Sequence, residues 1–114
     1  MFTKKNQDGY FAPLDKIEQK TLVHGEKTLM VEFKMKKGAI VPLHSHPHEQ
    51  TGYLISGHIK FLMDSEEMHC QSGDSWCIPG NREHGAEALK DSVIVEVFSP
   101  VREDYLPNQN QNSG

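Results

Sequence analysis

Apolar and polar residues alternate with a period of two through most of the middle of the chain. Leu29, Val31, Phe33 and Met35 alternate with Met30, Glu32 and Lys34, as expected of a strand with one buried face. Ile59, Phe61 and Met63 alternate with Lys60, Leu62 and Asp64, and Val93, Val95 and Val97 alternate with Ile94, Glu96 and Phe98. Turn-forming pairs and triplets separate the runs: Lys37-Gly38, Ser56-Gly57, Asp64-Ser65, Ser72-Gly73-Asp74 and Pro79-Gly80-Asn81. Short strands at this spacing predict an all-β sandwich or barrel that closes its own edges. Convincing amphipathic helix is missing, although Leu14 to Leu22 could supply one short helical turn. We read residues 1–27 as an N-terminal arm with the first strands and 28–106 as the barrel. Residues 107–114, PNQNQNSG, read as a disordered tail because they are polar and low in complexity.

A length of 114 residues suits one domain. Net charge is −4 with Lys and Arg scattered, so the basic patch of a nucleic-acid binder is missing; Lys34, Lys36 and Lys37 read as a solvated strand face. No apolar run approaches the roughly 20 residues that span a bilayer. Met1 to Tyr10 lacks the apolar stretch of a secretory signal. The expectation is a cytoplasmic protein that partners neither nucleic acid nor membrane. Cys70 and Cys77 would fall on neighbouring strands if Gly73-Asp74 is a hairpin turn, and a cytosolic setting favours free thiols.

The candidate chemistry lies in two segments. In Gly38-Ala-Ile-Val-Pro-Leu-His44-Ser-His46-Pro-His48-Glu49-Gln50, His44 and His46 are two apart and can aim at one ion from one strand face. Pro47 favours a turn, after which Gln50 could return beside them, with Glu49 as a competitor. Gly73-Asp-Ser-Trp-Cys-Ile-Pro79-Gly80-Asn81-Arg82-Glu83-His84 supplies His84 from a distant strand as a fourth donor. Three histidines and a neutral amide leave the site one charge more positive than with a carboxylate. That sharpens Lewis acidity and favours a non-redox role, with Zn, Ni, Mn, Co or Fe(II) all compatible with the ligand types. His48 reads as a loop or pocket-rim residue. His24, His58 and His69 have no partner at ligand spacing.

These segments resemble the two cupin motifs: Gly, five residues, His-x-His, a few residues, an acidic residue and a later Gly, then Gly, five residues, Pro-x-Gly, two residues and His. Gln50 stands where the general motif has Glu. Asn81 stands where the second motif has Gly, a tolerable exchange because Asn accepts left-handed backbone. The resemblance implies a small single-domain cupin, a jelly-roll barrel or double-stranded β-helix, and a homodimer.

Within cupins, Val41 to Gly57, Ile78 to His84 and Val97-Phe-Ser-Pro-Val-Arg-Glu-Asp-Tyr105 are similar to the KdgF-type pectin-degradation proteins. That resemblance implies an enzyme that converts 4,5-unsaturated uronate monomers, released by pectin and alginate lyases, to linear 5-keto-4-deoxyuronate. It implies one divalent ion on His44, His46, Gln50 and His84, a small anionic sugar substrate, and catalytic roles for Glu96, Phe98 and Arg102. Glu96 is one methylene longer than the Asp of the family pattern. The residues themselves leave two orientations open for the last strand. Either Val93, Val95 and Val97 form the core with Glu96 in solvent, or Glu96 and Phe98 face the lumen. A buried carboxylate is costly unless it is paired or used. A non-catalytic sugar-binding cupin and another metal-dependent reaction, dioxygenation or lyase chemistry, are the alternatives.

Overall fold

A computed structural model describes residues 1–106, so the expected disordered tail at 107–114 lies outside the described residues. The described residues form ten strands: β1 (Phe11–Leu14), β2 (Ile17–His24), β3 (Leu29–Met35), β4 (Ile40–His44), β5 (Glu49–Ser56), β6 (His58–Met63), β7 (Glu66–Gln71), β8 (Ser75–Ile78), β9 (His84–Ala88) and β10 (Ser92–Ser99). A single 3-10 turn, Glu103–Tyr105, follows. The strands make two antiparallel sheets, one of six in the order β1-β2-β3-β10-β5-β8 and one of four in the order β4-β9-β6-β7. The all-β jelly-roll class is therefore correct. Leu14 to Leu22 is not helical, because Phe11–Leu14 pairs with Ile17–His24 as a hairpin.

The turn signals act as their chemistry requires. Asp64 and Ser65 both adopt positive φ, 56° and 64°, between strands whose registered ends are Met63 and Glu66. That is the two-residue hairpin geometry whose twist matches the flanking strands. At Gly57, φ is 107° and a Cβ would stand 2.1 Å from Ser92 Oγ, so only glycine fits. Asn81 has φ 64°, as its tolerance of left-handed backbone suggested.

The core lies between the sheets, with Leu54, Ile59, Phe61, Ile78 and Ile94 at its centre. A second cluster of Leu29, Val31 and Phe98 is covered by Val101, Tyr105 and Leu106. On β10 the inward residues are Ile94, Glu96 and Phe98, at 5%, 6% and 1% exposure, and the three valines are half-buried on the outer face. The two orientations left open for this strand resolve in favour of a lumen-facing carboxylate. The cysteines depart from expectation. Cys70 lies on β7 opposite Ile59 and Cys77 on β8 opposite Thr51, so the Gly73 turn passes from one sheet to the other instead of closing a hairpin. Both thiols are free.

Candidate metal centre

His44 ends β4, His84 begins β9, and the two are registered partners across the four-stranded sheet. His46 lies just beyond β4, in the loop that leads to β5. The second motif holds that loop in place: Asn81 N–H donates to His46 C=O at 2.7 Å. A Cβ on Gly80 would stand 2.4 Å from Pro47 O, so the close approach of the two loops depends on glycine. One potential ligand atom from each of His44, His46 and His84 falls within 4.8 Å of the others.

Hydrogen bonds assign the ring faces. His44 Nδ1 lies 2.9 Å from Pro42 O, and His84 Nδ1 lies 2.8 Å from Arg82 O. A carbonyl only accepts, so each Nδ1 carries the proton and each Nε2 keeps its lone pair free for a ligand role. Burial pulls the His46 imidazolium down to about 4, aided by the nearby Arg102 charge. Burial lowers His84 as well, against the opposing bond to Arg82. Both rings are thus neutral at pH 7, the form that binds metal.

Gln50 lies beside the three histidines. It is 5% exposed, whereas Glu49 points to solvent, so the competition between them resolves to Gln50. Its Oε1 lies 2.7 Å from His46 Nε2, and its Nε2 donates to Glu96 Oε2 at 2.5 Å. Trp76 Nε1 donates to the same carboxylate oxygen at 2.8 Å. An ionised carboxylate can only accept, so Glu96 turns the NH2 end of Gln50 toward itself and the carbonyl oxygen toward the histidines. The free Nε2 atoms of His44 and His84, with His46 Nε2 and the Gln50 oxygen that share a proton between them, fit a divalent ion of the borderline class that would displace that proton.

Glu96 carries a raised pKa because it is buried, with the bonds from Trp76 and Gln50 and the charge of Arg102 opposing the rise. Arg102 donates from Nε and Nη2 to Asp104 at 3.3 and 2.8 Å. Its guanidinium lies 4.0 Å from the Tyr105 ring centroid and 5.2 Å from that of Phe98. One edge is therefore occupied by Asp104, while among the described residues Nη1 and the second Nη2 proton have no acceptor. His44, Gln50, His84, Glu96, Phe98 and Arg102 all line one cavity of about 380 Å³, a volume within the usual range of small-molecule sites. Of the remaining histidines, His48 is half-buried with its ring 5.6 Å from that of His46. His58 Nε2 and His69 Nδ1 lie 2.8 Å apart on β6 and β7, a contact that spacing along the chain did not reveal.

The Cupin domain model matches residues 31–99, which span the histidine strand, Gln50, the second motif and β10. The chain belongs to the cupin family. Its fold is similar to that of KdgF from Halomonas sp., with TM-score 0.87 and 30% identity over 93% of this chain and 100% of that one. An RmlC-like cupin from Shewanella frigidimarina NCIMB 400 gives 0.86 and 26% over 92% and 95%. A second RmlC-like cupin, from Desulfovibrio desulfuricans, shares the fold alone, with 0.72 and 21% over 88% and 98%. No curated protein matches the chain.

In this cupin the sequence motifs found the donors but not the residues that orient them. Trp76 sits in the second motif as an ordinary strand residue, yet it is the only tryptophan in the chain. A Cβ on Gly52 would stand 2.3 Å from its ring, and that match of a bare glycine to a large ring across β5 and β8 was its only signal. Asp104 and Tyr105 belong to the segment that resembles the KdgF type, but their contacts with Arg102 depend on the 3-10 turn. Gln19, on β2, also lines the cavity and carried no motif.

Proposed function

We propose that this cupin opens the ring of 4,5-unsaturated uronate monomers to give linear 5-keto-4-deoxyuronate. The observation that carries the reading is the meeting, in one cavity, of His44, His84 and Gln50 with Glu96, Phe98 and Arg102, with His46 beside the other two histidines. The similarity to KdgF supports it. His44, His46, Gln50 and His84 would hold a divalent ion, which would supply Lewis acidity toward an anionic oxygen.

The chain's own groups account for the rest. The free donors of Arg102 suit the uronate carboxylate, because a guanidinium edge matches two oxygens, and Asp104 and the rings of Phe98 and Tyr105 hold that edge in place. Glu96 takes the proton of the C1 hydroxyl as the C1–O5 bond breaks, leaving an aldehyde at C1 and an enolate oxygen on C5. The same carboxyl then returns the proton to C4, which converts the enolate to the 5-ketone. Atoms and protons balance, and no co-reactant is needed. Its burial raises the affinity of Glu96 for a proton, which suits a group that must both accept and donate one.

The test is the ultraviolet absorbance of the conjugated double bond in a fresh lyase digest. Metal-loaded protein should speed its decay beyond the spontaneous rate. Glu96→Gln keeps an oxygen that accepts from Trp76 and Gln50 but removes proton transfer. It should cost on the order of a hundred- to ten-thousandfold with metal content unchanged. Arg102→Ala should act mainly on KM. An unchanged spontaneous rate with monomers from both pectin and alginate would end the uronate reading and leave a sugar-binding cupin in its place.

A further inference from the structure

Gln19 is buried to 2% exposure, and among the described residues its Nε2 has no hydrogen-bond partner. Buried amides are seldom left unpaired, because the lost bonds to water are not replaced. Its surroundings explain the vacancy on the protein side. Gln19 is registered with Phe11 on β1 and with Phe33 on β3, and both rings line the cavity that Gln19 lines. Phe33 is in turn registered with Ile94 on β10. The inward row on which Gln19 sits is thus aromatic or aliphatic on each side and offers the amide no acceptor. Gln19 lines the cavity, which is the side from which a bound ligand could supply the missing acceptor.

The position of that row relative to Glu96 says which part of a ligand the amide would meet. Ile94 and Glu96 are consecutive inward residues of β10, and Gln19 lies two strands across from β10, in the row of Ile94. A uronate ring whose C1, O5, C5 and C4 face Glu96 and the histidines turns its remaining edge, C2 and C3, away from them. That edge bears two hydroxyls and takes no part in the reaction. A neutral amide with two donors, set between two aromatic rings, has the chemistry to bind such hydroxyls while the rings cover the apolar sugar face.

Resting on the uronate reading, we propose that Gln19 binds the C2–C3 hydroxyl edge of the substrate and sets the choice between monomers. The unsaturated monomers from galacturonate and mannuronate differ only in the configuration at C2. A residue that donates to that edge therefore discriminates between them, since a site built to bond a hydroxyl penalises the analogue that misplaces it.

The experiment compares kcat/KM for the two monomers in metal-loaded wild type and Gln19→Leu, with the melting temperature of each ligand-free protein. Wild type should prefer one monomer. Gln19→Leu should lose about tenfold in kcat/KM on that monomer, chiefly through KM, as expected for one lost hydrogen bond. The ratio between monomers should fall to within about twofold. Its melting temperature should equal or exceed that of wild type, because the variant removes an unpaired buried donor. An unchanged ratio, or a fall in melting temperature showing that the amide serves the core, would overturn the inference. Should the leucine variant fail to fold, the Gln19 side-chain amide resonance decides instead. In labelled wild type it should shift on addition of galacturonate, which lacks the double bond and does not react, and a static resonance would refute the role. A wild type inactive on both monomers ends the uronate reading and this inference with it. An active wild type with an unaltered ratio in Gln19→Leu ends this inference alone.

Discussion

Replacing Trp76 by Phe isolates a single hydrogen bond on which the candidate metal centre depends. The aromatic ring survives, so packing against Phe61, whose centroid is 4.7 Å away, and over Gly52 is largely kept. What disappears is the N–H that reaches Glu96 Oε2 at 2.8 Å. That oxygen also accepts from Gln50, and the carboxylate is 6% exposed, so water has little access to replace the lost donor. Hydrogen bonds to charged groups are worth about 1.5–3 kcal/mol, and the variant should lose that much stability in urea unfolding followed by circular dichroism. The second consequence is specific to the site. With one of its two anchors gone, Glu96 holds the Gln50 amide less firmly, and the carbonyl oxygen spends less time aimed at the histidines. Loss of such support typically weakens metal binding by ten- to a hundredfold. We expect about tenfold for Trp76→Phe, since Gln50 itself is intact. Competition with a chromophoric chelator measures it. Stability within about 0.5 kcal/mol of wild type together with metal affinity within twofold would refute the coupling of Trp76 through Glu96 to Gln50.

Three further predictions test the site and its cover. Purified protein should carry about one divalent ion per chain, lost in His44→Ala/His46→Ala while the barrel stays folded on its own core. Gln50→Ala should weaken binding by about ten- to a hundredfold and the exposed Glu49→Ala hardly at all; elemental analysis of the purified variants reads both, and the reverse ranking would unseat Gln50. For the cover, burial pushes the Tyr105 hydroxyl up to about 12 from 10.0. A raised folded pKa means that the neutral phenol is favoured in the native state, so this contribution is complete below pH 10 and is lost between pH 10 and 12. The change is about 3 kcal/mol at most. Urea unfolding across that range should show the decline in wild type and a flatter profile in Tyr105→Phe, and parallel profiles would refute it.

The strands were legible because alternation maps directly onto faces, and the turns because Gly57, Asp64-Ser65 and Asn81 occupy backbone regions that most residues avoid. The histidine pair was legible from its spacing, although only His44 lies on a strand; His46 sits in the loop beyond β4 and is held there by Asn81. Leu14 to Leu22 misled because its apolar residues, read without their partner strand, carry no strict period. The pairing with β1 and β3 decides that segment, and pairing is non-local. The cysteines misled because a turn can join two sheets as readily as two neighbouring strands. On β10, three valines look like a core face, and the residues alone left that orientation open. The structure turns them outward, since the alternate face carries Ile94 and Phe98 as well as Glu96. Trp76, Asp104 and Gln19 act through contacts across strands or through an irregular turn, which no local pattern encodes.

A buried carboxylate in a small barrel needs donors, and the row around Glu96 shows how this chain supplies them. Glu96 is registered with Val31 on β3 and with Gly52 on β5, and Gly52 with Trp76 on β8. The neighbour between the carboxylate and the indole therefore has no side chain. A Cβ there would lie 2.3 Å from the Trp76 Nε1 and Cε2 atoms, too close for the ring to stay. The bare strand lets the indole lie across β5 and bring its N–H to Glu96. On the other strand position, two residues before Gly52, Gln50 reaches the same oxygen from the next inward row. The glycine, the tryptophan, the carboxylate and the amide are thus one arrangement. Its last member faces the histidines, so the energy spent on burying a charge is returned as orientation of a ligand oxygen.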